Sequence, residues 1–173
     1  MTKNSMNIEP RRLSSEFQVR FLDKADIPDI LALCRENSLY YQYCPPEATE
    51  QSILRDMEAL PPGRSREDKY YIGYFEKGQL AAVMDLITHY PEDGTAYIGF
   101  FMTEASRHHQ GMGSGIIEEL CAALREMGYK SIRLAWVQGN PQAAGFWRRN
   151  GFAETGTVYD RGAYTVVEAQ REL

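Results

Sequence analysis

Basic tracts are missing from this 173-residue chain: its 19 Lys+Arg are scattered and outnumbered by 24 Asp+Glu, giving a formal net charge of -5. Nucleic-acid affinity rests on neutralising phosphates, so a nucleic acid is excluded as the main partner. A basic patch around a small phosphate ligand stays compatible, because local potential governs such a contact. Cysteine is scarce too. Cys34, Cys44 and Cys121 have neither C-x-x-C nor metal-ligand spacing, and an odd count suits a reducing compartment better than a disulfide framework. Cys121 falls on an apolar helical face and reads as a buried thiol. The three histidines, His89, His108 and His109, complete no ligand set with neighbouring Cys, Asp or Glu, so no metal is expected. No apolar run has the length of a membrane span, and the first residues are read as lacking a signal-peptide core. The expectation is therefore a cytoplasmic protein with no membrane or nucleic-acid partner. Two catalytic signatures are also missing: a phosphate loop ending in Gly-Lys-Ser/Thr and a G-x-S-x-G nucleophile elbow.

What is present is ordinary globular material, 43% hydrophobic and 25% charged with 11 Tyr, at a length that suits one domain. Residues 1–15 are polar and irregular and read as a flexible or edge-forming arm; residues 16–173 read as a single domain. Phe17, Val19 and Phe21 alternate with polar residues as in a strand. Asp26 is placed to cap a helix whose apolar face is Ile27, Ile30, Leu31 and Cys34. An aromatic, proline-ended connection over 39–46 follows. Thr49 then caps a helix carrying Ile53, Met57 and Leu60, which stops at Pro61-Pro62-Gly63. Residues 70–75 and 80–89 read as a hairpin, and 95–103 as a central strand because its middle is nearly all apolar. Ile116, Ile117, Leu120, Cys121, Leu124 and Met127 recur at helical spacing up to Gly128. After a strand over 131–137, Asn140-Pro141 opens a short helix that ends at Asn150-Gly151. Strands over 152–158 and 163–170 complete the chain. This order of elements predicts an α/β (mixed α+β) fold, a mixed sheet with helices packed against it.

Between the 95–103 strand and the next helix lies Gln110-Gly111-Met112-Gly113-Ser114-Gly115. Glycines there let backbone N–H groups and a helix N-terminus approach an anion, such as the pyrophosphate of an acyl-CoA or a nucleotide. The third glycine comes one residue too early for the dinucleotide fingerprint G-x-G-x-x-G. The spacing fits Q/R-x-x-G-x-G/A instead.

Three features in order, residues 97–102 leading to this loop, the 116–127 helix, and the run from Asn140 to Phe152, resemble the GCN5-related N-acetyltransferase (GNAT) superfamily over roughly residues 17–168. The resemblance implies a splayed mixed sheet of about seven strands flanked by about four helices, with acetyl-CoA as cofactor. It places Phe101, Met102 and Thr103 beside the acetyl and pantetheine groups, and Gln110, Gly111, Met112, Gly113, Ser114 and Gly115 around the pyrophosphate. Asn140, Ala143, Phe146, Trp147 and Arg149 fall along the rest of the cofactor; Asn140 reads equally as a helix cap. A backbone N–H near Phe101 or Met102 would meet the thioester oxyanion. Two departures stand out. The 103–109 stretch is about two residues longer than the family spacing, and Trp147 replaces the family's tyrosine, so indole stands where a phenol would donate a proton.

Amine acetylation needs a neutral nitrogen, whereas an alkylamine has a pKa of about 10. Glu104, just past the acetyl-positioning strand, is the first candidate base and also reads as a solvated loop carboxylate. Asp85, polar within an apolar strand, is the second. Tyr159 or Tyr164 would replace the missing acid. Tyr40, Tyr41, Tyr43 and His89 are the acceptor-pocket candidates, aromatic faces suiting a cationic amine. The expected activity is acetyl transfer to a primary amine of a small molecule by direct attack in a ternary complex. The alternatives are a protein or peptide N-terminal or lysine acetyltransferase, a noncatalytic acyl-CoA sensor, and an interaction domain that self-associates, for instance as a homodimer.

Overall fold

A computed structural model describes residues 7–173. Seven strands form one sheet in the order β1-β2-β3-β4-β5-β7-β6. They are β1 Gln18–Phe21, β2 Lys69–Glu76, β3 Gln79–Ile87, β4 Thr95–Thr103, β5 Ser131–Val137, β6 Ala153–Asp160 and β7 Thr165–Glu172. Every neighbouring pair is antiparallel except β4 with β5. Among the described residues, five α-helices cover the two faces: α1 Ile27–Glu36, α2 Ser38–Tyr43, α3 Glu50–Glu58, α4 Met112–Glu126 and α5 Pro141–Arg149.

Because side chains alternate along a strand, the sheet feeds two cores. On one face Ile72, Met84, Ile98, Ile132 and Leu134 pack with Ile116, Ile117, Leu120 and Leu124 of α4. On the other, Tyr71, Val83 and Met102 pack with Ile30, Leu31 and Ile53 of α1 and α3. The helix ends follow the sequence signals in three places. Thr49 and Ser52 cap α3 reciprocally, the Asn140 side chain accepts from the N–H groups of Gln142 and Ala143 to start α5, and Gly128 leaves α4 at φ 89.

Three expectations change. Asp26 does not cap α1: its carboxylate accepts both guanidinium arms of Arg20 at 2.9 and 3.0 Å, while Asp23 caps the preceding 3-10 turn. The Arg20 hydrogen bonds hold the Asp26 carboxyl below its usual range. The 39–46 connection contains helix α2, formed because Tyr40 and Tyr41 lean on the α1–α3 core and burial of that face outweighs weak local propensity. The arm over 1–15 is anchored within its described part and forms no sheet edge. Ile8 and Leu13 are 3% and 0% exposed, and Ser14 and Ser15 bond Glu119 of α4. Two apolar anchors in a polar stretch make no periodic pattern. Residues 1–6 lie outside the described residues. Among those described, no helix is long and apolar enough to cross a membrane.

Candidate active site

The parallel joint is short. β4 pairs with β5 only where Thr95–Ile98 face Ser131–Leu134, although both strands run on, to Thr103 and Val137. A bulge starts the divergence: Leu86 pairs with Ile98 and Asp85 with Phe100, leaving Gly99 as the extra residue, a kink that bends the strand.

Hydrogen-bond alternation then fixes which backbone groups face the gap. The Glu104 N–H donates to the Ala81 carbonyl at 2.9 Å, so Met102 and Phe100 also turn their amides toward β3, and Phe101 and Thr103 turn theirs toward the gap. On β5, bonds from Gln138 N–H to Thr165 and from Leu173 N–H to Lys130 commit the even-numbered residues to β7. Ala135 and Val137 are left facing β4. The amide opposite the gap is thus that of Phe101 and not of Met102, whose side chain is buried in the α1–α3 core. The gap opens into a cavity of about 200 Å³ walled by Tyr40, Gly99, Ala135, Trp147 and Tyr164 among others.

The glycine loop sits at one end of this gap. Gly111 is the N-cap of α4 at φ 81, a left-handed conformation that glycine adopts without a Cβ penalty. A Cβ at Gly113 would lie 3.1 and 3.2 Å from the Phe146 ring, whereas one at Gly115 would meet nothing within 4 Å. Helix α4 starts at Met112, four residues ahead of the 116–127 helix read from the sequence. Gly111 and Gly113 take the two glycine places of the motif, and His108 takes the polar place assigned to Gln110, which accounts for the apparent excess length of 103–109. The Gln110 side chain instead bonds the Ser106 carbonyl at 3.1 Å. First-turn amides of Met112, Gly113 and Ser114 project from the helix start, as at any helix N-terminus. Asn150 ties α5 to this turn through a 3.1 Å bond to the Ser114 hydroxyl, and Phe101, Phe146 and Trp147 stack into one aromatic wall.

Along α5, Ala143 and Asn140 line the cavity, with the Asn140 carbonyl oxygen used as the cap. The Arg149 guanidinium lies against Gly145.

The catalytic candidates separate. Glu104 is drawn off the gap into an ion pair with Arg107 at 3.3 Å, and Arg107 in turn pairs with Glu76. Chain proximity to the strand end did not determine which way the side chain turns. Asp85 does reach the bulge, with Oδ2 3.0 Å from where a Cβ of Gly99 would stand. Both its oxygens, however, bond Lys69 Nζ at 3.0 Å. Burial pushes the Asp85 carboxyl up against the pull of that ammonium. Tyr159 is 43% exposed on the edge strand, and its hydroxyl donates to Glu168; the hairpin tyrosine that lines the cavity is Tyr164. A hydrogen bond with Cys44, then burial, push the Tyr164 phenol up to about 12.

Of the acceptor candidates, Tyr40 lines the cavity, edge-on to Phe100 at 6.0 Å. Tyr41 packs on the α1–α3 core, and Tyr43 is half-buried at the end of α2, neither one on the cavity wall. His89 lies beyond the far end of β3, where it accepts from Gly94 N–H and meets the Tyr129 hydroxyl. The strand-end histidine thus stands at the end of the sheet opposite the cavity. Sequence reasoning missed Tyr97 and Cys44 in the cavity wall and the buried Glu168; strand register, which only the pairing reveals, is the signal for the last.

A parallel joint that opens beside a glycine-capped helix is the architecture of an acyltransferase. The chain matches the model of the acetyltransferase (GNAT) family over residues 30–152 and belongs to that family of acetyl-CoA-using enzymes. None of the curated proteins compared by sequence matches it. Its fold is similar to that of an acetyltransferase from Thermus thermophilus, with a TM-score of 0.72 at 18% identity over 91% of this chain and 97% of that one. It is also similar to the ribosomal-protein-S18-alanine N-acetyltransferase of Escherichia coli, with a TM-score of 0.64, 14% identity, and 90% and 93% of the two chains covered. PaiA N-acetyltransferase from Thermoplasma acidophilum, in complex with coenzyme A, aligns with a TM-score of 0.63 at 18% identity over 91% and 99%. These likenesses establish the fold.

Proposed function

We propose that the protein transfers the acetyl group of acetyl-CoA to a primary amine of a small molecule, by direct attack in a ternary complex. The observation that carries this reading is the pair of strand edges that lack a ladder partner, Phe101 and Thr103 against Ala135 and Val137, opening into a cavity of about 200 Å³. The Thr103 and Val137 carbonyls are taken by Asn37 and by Asn140 N–H, and the amides of all four and the carbonyls of Phe101 and Ala135 remain for a ligand. Buried backbone polar groups need partners, and the amides of a pantetheine arm supply them. The residues present suit acetyl-CoA: open backbone along the gap, first-turn amides of α4 for the pyrophosphate, and Arg149 on α5 near the same end. Acetyl-CoA brings an activated thioester, whose thiolate leaves readily because a thiol pKa is about 8.5.

The chain's own groups then do three things. The Phe101 N–H meets the developing negative charge on the thioester oxygen, an interaction worth roughly 3 kcal/mol for one well-aimed donor. Tyr40 and Tyr164 wall the acceptor side with aromatic faces that suit a cationic amine. Trp147 excludes water and positions the arm without donating a proton. The modest volume of the partly open cavity, about 200 Å³, suits a small acceptor.

The test is CoA-thiol release from acetyl-CoA with a panel of primary amines and, separately, peptides, each product checked by mass for one added acetyl group. Amine-dependent release with acetylated product supports the reading. Release with peptides alone moves the acceptor to protein, and acetyl-CoA binding without any release points to a sensor.

A further inference from the structure

We propose that Glu168 is the carboxylate that meets the acceptor amine and takes its proton. This deepens the N-acetyltransferase reading and rests on it. Glu168 lies in β7 and is 9% exposed. One oxygen accepts the Thr155 hydroxyl at 2.8 Å and the other the Tyr159 hydroxyl at 3.2 Å. Among the described residues it forms no ion pair. A buried charge is costly unless paired, and two neutral hydroxyls offset that cost in part. The two carboxylates that the sequence offers as bases already have cations, Lys69 for Asp85 and Arg107 for Glu104, and Asp56 of α3, whose charge reaches Tyr40 and Tyr164, is solvent-exposed.

Register gives Glu168 its direction. It pairs directly with Ala135, and residues directly opposite in neighbouring strands share a sheet face. Ala135 lines the cavity, as does Val166, two residues before Glu168 on the same face. The charged and titratable groups around Glu168 are Tyr97 from β4, Arg133 from β5, Tyr159 from β6, Arg161 from the β6–β7 turn, and Tyr90. Arg133 is engaged by Gln170 and Glu92, and the Arg161 guanidinium sits over the Tyr159 ring at 5.6 Å. Burial first, then Tyr90 and Glu168, push the Tyr97 phenol up to about 12, so the aromatic wall stays neutral around the carboxylate.

The ammonium of the acceptor pairs with Glu168 on entry. Glu168 takes one proton from the ammonium and frees the nitrogen lone pair, which forms the C–N bond at the thioester carbonyl while the C=O π pair moves onto oxygen; the oxyanion then collapses. The C–S bond breaks with its electron pair on sulfur, and the second nitrogen proton ends there, giving amide and free CoA thiol. Glu168 returns its proton to water past the Tyr159 hydroxyl. The net change is ammonium plus thioester to amide, thiol and one released proton.

The experiment compares Glu168→Gln with wild type in amine kcat/KM, acetyl-CoA Kd and thermal stability. The expected result is a loss of about 100-fold or more in amine kcat/KM, the range of a lost general base, with acetyl-CoA Kd within about twofold of wild type. Glu168→Ala assayed with added formate gives a second reading if Glu168→Gln folds poorly: formate restores at least about tenfold of the lost rate. Kcat/KM within about threefold of wild type in Glu168→Gln, or no formate rescue in a folded Glu168→Ala, overturns the proposal. If the wild-type protein itself acetylates no amine, the parent reading fails and this one with it.

Discussion

Replacing the three loop glycines one at a time tests the helix start directly. Gly115→Ala places its Cβ in open space within α4, so it gains the helix-propensity difference of about 1 kcal/mol between alanine and glycine. For a chain of this size that raises Tm by about 2–4 °C. Gly113→Ala gains the same term, but its Cβ meets the Phe146 ring at 3.1 and 3.2 Å. That ring is held against Phe101 and Trp147, and overpacking costs about 1–3 kcal/mol, so the net change is a loss of about 0–2 kcal/mol. Gly111→Ala meets no atom but must hold φ 81, a strain of about 1–2 kcal/mol. Thermal melts and coenzyme A titration of the three variants provide the assay. The expected order of stability is Gly115→Ala above wild type, then Gly113→Ala and Gly111→Ala below it. Coenzyme A affinity should fall in Gly111→Ala and hold in Gly115→Ala. If Gly115→Ala loses coenzyme A while Gly111→Ala keeps it, the motif register argued from the structure is wrong.

Lys69→Met should cost about 3–5 kcal/mol in chemical denaturation, because it leaves the largely buried Asp85 carboxylate without its cation, and adding Asp85→Asn should recover most of it. The sign with pH follows from the raised Asp85 carboxyl: the folded state holds its proton more tightly than the unfolded one, so stability is present at acid pH and lost as pH rises through the folded value. The deficit of Lys69→Met relative to wild type should therefore shrink on acidification. Trp147→Ala, which empties the aromatic wall shared with Phe101, Phe146 and Phe152, should cost about 3–5 kcal/mol, with Trp147→Phe much milder in the same melts. Tyr164→Phe should lower kcat by less than about tenfold; a loss of about 100-fold or more would make Tyr164 the general acid.

Much of the architecture could be read without coordinates where one residue type has one local use. Asn140 before Pro141, Thr49 ahead of a helical stripe and Gly128 after one each mark a helix boundary by the hydrogen bonds they make. The β2–β3 hairpin and the apolar centre of β4 announced themselves by periodicity. The arm failed because Ile8 and Leu13 have no period to detect, and α2 failed because its tyrosines are helical for the sake of the surface they cover. The directions of the catalytic candidates were illegible for a different reason. Glu104 is next to the strand end in the chain but turns to Arg107, and His89 is on the right strand's extension at the wrong end. Glu168 and Ala135 are 33 positions apart in the sequence, and only the antiparallel register of β5 with β7 makes them neighbours. The identity of a loop could be inferred; the direction of a side chain could not.

The four-pair joint between β4 and β5 has a consequence for what happens after the chemistry. If the pantetheine arm bridges the separated edges, its backbone contacts stay the same when the acetyl group departs, apart from the Phe101 N–H that meets the thioester oxygen. Spent coenzyme is then gripped nearly as firmly as fresh, and the enzyme is slowed by its own product. Turnover would be paced by how often the two edges let go, and the ratio of acetylated to free coenzyme around the protein would act as the throttle.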